Sequence, residues 1–262
     1  MDTPRPKKRF GQHFLTDQSV IRAIVRRFAP IADSAVMEIG PGAGAITGPL
    51  LDAGVRLTAV ELDRDMADLL AQRFAGRARF SLVRADAMRM DVAGLAAGGT
   101  ARVVGNLPYN VATAILFHLL ESLEHVEDMY FMVQKEVAER LAAAPGNRDY
   151  GKPSVFIQRL CEVEIDMLIP PTAFKPPPRV MSAMIRLRPL EAPIGGEIDI
   201  SLLKGVVSAA FAQRRKTLRN ALKRYAAPET LERVGIDPVR RAETVSVEEY
   251  VRLTRELSGS RD

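Results

Sequence analysis

Short apolar runs and segments of helical periodicity alternate along the chain as far as residue 187. An apolar run of four to six residues between turn-forming residues has the length and composition of a buried strand. Seven strands are predicted in this way, at 35–39, 57–60, 80–83, 101–105, 129–133, 164–169 and 183–187. Apolar residues spaced by three or four positions predict helices at 20–28, 45–51, 112–120, 136–144 and 154–160. Ser19 is the predicted N-cap of the first helix, which ends before Pro30.

The pattern changes after residue 189, where a Pro- and Gly-containing segment to Gly196 predicts a linker. The chain beyond it is predicted to be entirely helical, at 202–224, 229–234 and 247–257. In the first of these helices basic residues recur at a spacing of four, which would place a basic stripe on one face. The stripe and its flanks consist of Arg214, Arg215, Lys216, Arg219 and Lys223.

Positive charge is concentrated in this C-terminal part of the chain. Residues 201–262 contain 13 Lys and Arg against 8 Asp and Glu, a difference of +5 that equals the net charge of the whole chain. Such an asymmetry indicates a polyanionic partner that contacts the C-terminal part. A basic soluble surface without such a partner is the alternative interpretation.

Composition narrows the class of protein. A chain of 262 residues that is 47% hydrophobic can form one large core, or one large and one small domain. The single cysteine, Cys161, excludes an internal disulfide framework and a multi-cysteine metal site. The basic start is followed by no apolar signal segment, and no apolar run is long enough to span a membrane. We therefore expect a cytoplasmic protein without a metal site or membrane partner.

A glycine-rich turn, Gly40-Pro41-Gly42-Ala43-Gly44, separates the predicted strand 35–39 from a helix. Such a turn lets the backbone approach a ligand and directs free N–H groups at it. The third glycine follows the second by two residues rather than three, which disfavours a dinucleotide site and matches S-adenosylmethionine-dependent methyltransferases. A turn without a ligand is the alternative. Glu61 and Asp86 each follow a later strand, where a carboxylate could accept hydrogen bonds from ribose hydroxyls or an adenine amino group.

The segment Asn106-Leu107-Pro108-Tyr109 follows the predicted strand 101–105 and suits the methylation of a conjugated amine. The nitrogen of such an amine is a poor nucleophile, because its lone pair is delocalised into the ring. An asparagine oxygen and a nearby backbone carbonyl can accept its two N–H bonds and turn the lone pair toward an electrophile. Pro108 stiffens the turn, and Tyr109 offers a ring on which a base can stack. A simple stiff turn is the alternative.

A Pro-dense segment, 170–180, precedes the last predicted strand. It cannot join a sheet ladder and would present Phe174 on a rigid arm, which suits a second stacking surface for a flipped base. A rigid crossover between two strands explains the same residues equally well.

Taken together, these segments resemble the small-subunit (16S) ribosomal RNA adenine N6,N6-dimethyltransferases. The resemblance runs from Lys7 to about Tyr250 and is specific because the matching segments occur in one order. They are 8–12, 38–42, 60–63, 86–88, 105–110, 134–137, Phe174 with Pro176 and Pro178, and 213–217. It implies a seven-stranded, mostly parallel Rossmann-like methyltransferase sheet at 1–189, with a basic arm at 1–18. It also implies a small all-helical RNA- or ribosome-contacting domain at 197–262.

The resemblance further implies site residues and an activity. S-adenosylmethionine would contact His13, Leu15, Gly40, Glu61, Asp86 and Asn106. Asn106 would also hold the target amine, while Tyr109 and Phe174 would stack on the adenine. The family dimethylates two adjacent adenosines in a terminal hairpin loop of 16S rRNA, so we expect a monomeric rRNA-modifying enzyme of small-subunit biogenesis. Two positions depart from the family pattern: His13 stands where Asn is frequent, and Met181 where Asp is common.

Two other functions are compatible with parts of the sequence. The protein could be an assembly checkpoint factor that binds the immature small subunit, with methylation secondary. It could also be a nicotinamide-dependent oxidoreductase, which the glycine spacing and the lack of an evident acid–base pair near Asn106 disfavour.

Overall fold

A computed structural model describes residues 13–259, so part of the predicted basic arm, up to Gln12, lies outside the described residues. The chain divides into two compact units. The first runs to Ala138 and also includes Glu164–Pro189, whereas the second comprises Glu139–Val163 and the chain from Leu190 onward. The predicted linker at 189–196 coincides with the last of these boundaries. Segment 139–163, predicted to be part of the first domain, is assigned by its contacts to the second unit.

Within residues 13–259, nine strands form two sheets. They are β1 Phe14–Leu15, β2 Ala35–Ile39, β3 Arg56–Val60, β4 Phe80–Val83, β5 Ala101–Asn106, β6 Val126–Gln134, β7 Cys161–Ile169, β8 Phe174–Lys175 and β9 Ser182–Pro189. Eleven α-helices occur among the described residues. They are α1 Gln18–Phe28, α2 Thr47–Asp52, α3 Arg64–Arg73, α4 Val92–Leu95, α5 Ala112–Leu120, α6 Lys135–Ala142, α7 Lys152–Gln158, α8 Ile200–Ala210, α9 Leu218–Ala221, α10 Pro228–Arg233 and α11 Val247–Gly259. No helix within 13–259 is long and apolar enough to cross a bilayer.

The main sheet has seven strands in the order β4-β3-β2-β5-β6-β9-β7. Strands β4, β3, β2, β5 and β6 run parallel, and β9 pairs antiparallel to β6. The predicted seven-stranded, mostly parallel sheet is therefore confirmed. The strand order reverses at β2, because β3 lies on one side of it and β5 on the other. In open sheets of this kind, ligands bind beyond the carboxyl ends of the strands at that reversal.

Strands β2 and β5 approach each other unusually closely at their carboxyl ends. In their parallel register Ile39 lies opposite Gly105. A Cβ atom on Gly105 would lie 2.1 Å from the Ile39 carbonyl oxygen, a distance that no side chain can occupy. Gly105 is therefore required for the two strands to pair here, and the pairing sets Gly40 beside Asn106.

The first helix, α1, is fixed at both ends. Its N-cap is Asp17, whose side chain accepts hydrogen bonds from the Ser19 and Val20 amides, so the prediction of Ser19 as the cap is wrong. At the other end the guanidinium of Arg102 donates to the carbonyls of Phe28 and Ala29 and to both carboxylate oxygens of Asp128. The ion pair joins β5 to β6, and the bonds to the two carbonyls connect α1 to both strands.

A short antiparallel sheet joins the segment before α1 to the Pro-dense segment. Strands β1 and β8 pair so that Leu15 lies opposite Phe174. Both side chains are buried in the core of the first unit, and Phe174 is only 4% exposed. Two-residue strands carry no periodic signal, so this pairing was not predicted.

The second unit has its own apolar core, to which α7, α8 and α11 contribute. The predicted helix 202–224 is wrong: α8 ends at Ala210, turns follow, and α9 is a separate four-residue helix. The helix is interrupted by pairing with a distant segment, since the amides of Leu218 and Arg219 donate to the carbonyls of Arg240 and Pro238. An isolated bridge between Thr217 and Arg241 extends this pairing. Leu218 and Leu222 are buried in the core of this unit.

Candidate active site

The carboxyl ends of β2, β3 and β5 surround three adjoining hollows, all of which Gly40 lines. The central hollow contains His13, Glu61, Asn106 and Tyr109. The inner hollow shares Gly42 with the central one and adds Leu15 and Glu38, and the outer hollow adds Asp86 beside Glu61. The structure thus brings together the six residues predicted to contact a cofactor, together with Tyr109.

The glycine turn needs glycine for its backbone conformation. Gly40 and Gly42 have φ values of 65° and 55°, in the left-handed region that side-chain-bearing residues rarely adopt. A Cβ atom on Gly42 would also meet the Phe14 ring at 3.3 Å. Because Gly40 and Gly42 have no side chains, a ligand in the inner hollow can lie directly against their backbone.

Glu61 is a buried carboxylate held in one orientation. Its Oε2 accepts the Gly42 amide at 3.2 Å, and its Oε1 accepts the Asp63 amide at 2.8 Å. Burial raises its pKa above the usual value, against the opposing effect of these two amides. Asp63 caps α3 by accepting the Asp65 amide. The arrangement leaves lone pairs of Glu61 directed at the central and outer hollows, where a diol could donate to them.

Asp86 lies at the outer hollow in a turn of its own. Its Oδ1 accepts the Met88 amide at 2.9 Å. Leu62 and Met88, two exposed apolar side chains, line the same hollow. A flat aromatic group could lie between such side chains while Asp86 accepts a hydrogen bond from its edge. The apolar pair was not recognised in the sequence, because isolated Leu and Met residues in loops carry no pattern.

Asn106, the last residue of β5, is oriented by the segment before α1. Its Nδ2 donates to the His13 carbonyl oxygen at 3.2 Å. A carbonyl can only accept, so this contact assigns the amide: Nδ2 faces His13, and Oδ1 is left as the acceptor for a ligand. The amide of Leu107 donates to the Met132 carbonyl of β6, which anchors the turn to the sheet.

Tyr109 is held by two contacts that the sequence did not indicate. Its hydroxyl shares a 2.6 Å hydrogen bond with Ser182 at the start of β9. Its ring stacks on the ring of His13, with centroids 5.8 Å apart and planes at 25°. His13 Nδ1 donates in turn to the Pro176 carbonyl at 2.8 Å. Burial raises the pKa of Tyr109, which therefore remains a neutral phenol.

Phe174 and the five predicted RNA-contacting residues do not line these three hollows. Phe174 lines none of these three hollows and is packed in the core, because β8 pairs with β1 and turns the ring inward. The structure therefore does not present Phe174 as a stacking surface, and that role stays a prediction.

The five predicted RNA-contacting residues belong to the second unit, where all are exposed: Arg214, Arg215, Lys216, Arg219 and Lys223. They occupy a turn, the short helix α9 and the residues after it, not one continuous helical stripe.

The sheet order, the glycine turn at its reversal point and the carboxylate after β3 define a Rossmann-like methyltransferase. Comparison with known proteins narrows this class. The sequence profile described as "Ribosomal RNA adenine dimethylase" matches residues 4–258. The chain belongs to this family.

Similar proteins cover almost the whole chain. Ribosomal RNA small subunit methyltransferase A of Pseudomonas aeruginosa is 48% identical over 97% of this chain and 95% of its own. The protein with the same description in Thiobacillus denitrificans is 47% identical, over 97% of this chain and 98% of its own. Among solved structures, a dimethyladenosine transferase from Plasmodium falciparum has a TM-score of 0.83 at 20% identity, covering 95% and 98% of the two chains. The 23S rRNA methyltransferase ErmE has a TM-score of 0.70 at 26% identity, covering 94% and 99%.

Proposed function

We propose that the protein dimethylates the N6 amines of two adjacent adenosines in a terminal hairpin loop of 16S rRNA, with S-adenosylmethionine as methyl donor. The relatives described as small-subunit rRNA methyltransferases support the substrate class. One observation carries the proposal: the His13 carbonyl holds the amide of Asn106 so that Oδ1 is its available acceptor, beside the ring of Tyr109. A planar base that carries an amine is the ligand that this pair fits.

The three hollows fit the parts of the donor. The oriented carboxylate of Glu61 suits the two ribose hydroxyls. The outer hollow, with Asp86 and two apolar side chains, suits the adenine ring. The inner hollow, next to the glycine turn and Leu15, suits the amino-acid end. When bound, the donor supplies an electrophilic methyl group on a sulfonium.

The residues of the chain then position the amine. Asn106 Oδ1 and a backbone carbonyl of the same turn accept its two N–H bonds, which favours a pyramidal nitrogen with its lone pair directed at the methyl group. Transfer would form a C–N bond as the C–S bond of the sulfonium breaks, and the alkylated nitrogen, now acidic, would lose a proton to solvent. Positioning of this kind supplies much of the rate enhancement. In the second transfer only one N–H remains to be accepted.

Mass spectrometry of 16S rRNA tests the proposed activity. RNA from cells lacking the modification, incubated with the protein and labelled S-adenosylmethionine, should gain four methyl groups on two adjacent adenines. The Asn106→Ala variant should still bind the donor, with a loss of affinity much smaller than its loss of turnover, which should be roughly 100-fold or more because the amine is no longer oriented. Unmodified adenines after incubation with the wild-type protein would refute the proposal.

The partner is proposed to be 16S rRNA within the immature small subunit, bound by a monomer of the protein. The exposed basic residues of the second unit support a polyanionic partner, and none of the five has an ion-pair partner among residues 13–259. Complementation separates methylation from a checkpoint role. If Asn106→Ala restores small-subunit assembly as well as the wild type does, binding rather than methylation is the main role.

A further inference from the structure

The imidazole of His13, the residue before β1, lies against one face of the Tyr109 ring. The two ring centroids are 5.8 Å apart, and the ring planes are inclined by 25°. A base inserted between the rings would need two van der Waals spacings, about 7 Å in total, so no base fits there while both rings keep these positions. A base that stacks on Tyr109 is therefore restricted to the opposite face of the ring.

Both rings are held in place by groups outside the stack. His13 Nδ1 donates to the Pro176 carbonyl at 2.8 Å, and the chain after His13 continues directly into β1, which pairs with β8. The hydroxyl of Tyr109 shares its hydrogen bond with Ser182. The covered face of Tyr109 is thus a fixed feature of the central hollow, which both rings line together with Asn106.

His13 is also the ring that the structure places on Tyr109 in a site for which the sequence predicts a second aromatic side chain. The predicted one, Phe174, is only 4% exposed and packs in the core of the first unit. The imidazole of His13 is half-buried and faces the hollow. It therefore contributes an aromatic surface at the point where the target base is expected.

We propose that His13 is a positioning residue that acts through Tyr109, an inference that rests on the proposed function because it assumes an adenine as substrate. By covering one face of the Tyr109 ring, the imidazole makes the adenine stack on the other face only. The base then presents its N6 amine to Asn106 in one orientation. This role concerns the ring and the base, and it is separate from the donor contact expected for His13.

The second methyl transfer depends more on this stack than the first. The unmodified amine has two N–H bonds that the turn at Asn106 can accept, whereas the monomethylated amine has only one. With one hydrogen bond fewer, stacking on Tyr109 supplies a larger share of the orientation of the base. Loss of the imidazole should therefore slow the second transfer more than the first, and monomethyladenosine should accumulate.

Single-turnover methylation of small subunits from cells that lack the modification tests this role. At saturating S-adenosylmethionine, mass spectrometry of the digested rRNA follows monomethyl- and dimethyladenosine with time. In His13→Asn, the ratio of the second rate constant to the first should fall about threefold to tenfold, the effect of one lost aromatic contact. His13→Phe keeps an aromatic ring but has no donor for Pro176, and it should keep the wild-type ratio.

The same series separates the stack from a contact with the donor. A lost donor contact would lower the affinity for S-adenosylmethionine, which calorimetric titration measures, but would not change the ratio at saturating donor. The ratio is also independent of the fraction of protein that is folded, which thermal unfolding measures. His125→Asn is the matched control, because His125 Nδ1 donates to the Gly99 carbonyl and the residue lines none of the three hollows. It should keep both rate constants.

Four results would overturn the inference. They are an unchanged ratio in His13→Asn, a ratio in His13→Phe as low as in His13→Asn, complete loss of the first transfer in His13→Asn, and a faster second transfer in that variant. The last result would mean that the base displaces the imidazole and uses the covered face. Each of the four leaves the proposed function intact, whereas a wild-type protein that methylates no adenine would overturn both.

Discussion

Tyr109 shows how a single side chain in the site is oriented from outside it. Its hydroxyl contacts Ser182, which is fully buried, and its ring contacts His13. Because its side chain is already held in one rotamer in the folded protein, Tyr109 would lose little further conformational entropy when a base stacks on its ring. We therefore expect Ser182 to be a positioning residue that acts through Tyr109.

Removal of the Ser182 hydroxyl tests this role. Ser182→Ala should lower kcat about threefold to tenfold, in line with the loss of one hydrogen bond worth about 1 kcal/mol, while donor affinity stays unchanged. Tyr109→Phe removes the same hydrogen bond from the other side, so the double variant should be no slower than the slower single variant. Ser81→Ala, at an exposed position on β4, is the control and should not change the rate. Additive losses in the double variant would show that Ser182 does not act through Tyr109.

At the scale of elements, the close pairing of β2 and β5 holds the glycine turn and Asn106 side by side. Gly105→Ala should lower the free energy of unfolding by about 2 kcal/mol or more, because the new methyl group collides with backbone rather than with a movable side chain. The folded fraction should also lose turnover, since Asn106 follows directly. Chemical denaturation and single-turnover assays measure the two effects.

Gly48→Ala is the matched control for this substitution. Gly48 lies within α2, and a Cβ atom there would be 3.7 Å from the Phe74 ring, an ordinary contact. Alanine is the better helix former, so stability should stay the same or rise by about 0.5–1 kcal/mol. A Gly105→Ala protein as stable as Gly48→Ala would contradict the role assigned to the β2–β5 contact.

The sequence predicts elements well where the signal is local. The strands predicted at 35–39 and 80–83 match the structure residue for residue, because an apolar run between turn residues is a property of a few neighbours. The helix predicted at 202–224 is wrong because the pairing of Leu218 with Arg240 depends on residues far along the chain. The β1–β8 pairing was missed for the same reason, and with it the burial of Phe174. The site contacts His13–Tyr109 and Ser182–Tyr109 likewise join distant segments.

At the scale of the whole molecule, the uneven charge of the chain predicts how it binds RNA. Replacing Arg215 and Arg219 with Gln should weaken RNA binding and flatten the slope of log K against log salt by roughly 1 to 2 units, one for each lost phosphate contact. Fluorescence anisotropy over a range of salt concentrations measures the slope. Lys204→Gln, an exposed lysine on α8, is the control. A slope unchanged by the double substitution would mean that these arginines do not contact phosphate.

The hydrogen bond between the His13 carbonyl and the Asn106 side chain also determines which way the Asn106 amide faces. A primary amide is nearly symmetrical in shape, so rotation by half a turn exchanges its oxygen and its nitrogen without any steric penalty. Only the rotamer with the oxygen outward attracts an incoming amine, whereas the other repels it. The His13 carbonyl therefore selects one of two rotamers of the Asn106 amide that have the same shape. A protein that lacks the chain up to and including His13 would lose this selection while keeping every side chain of the Asn106–Tyr109 turn.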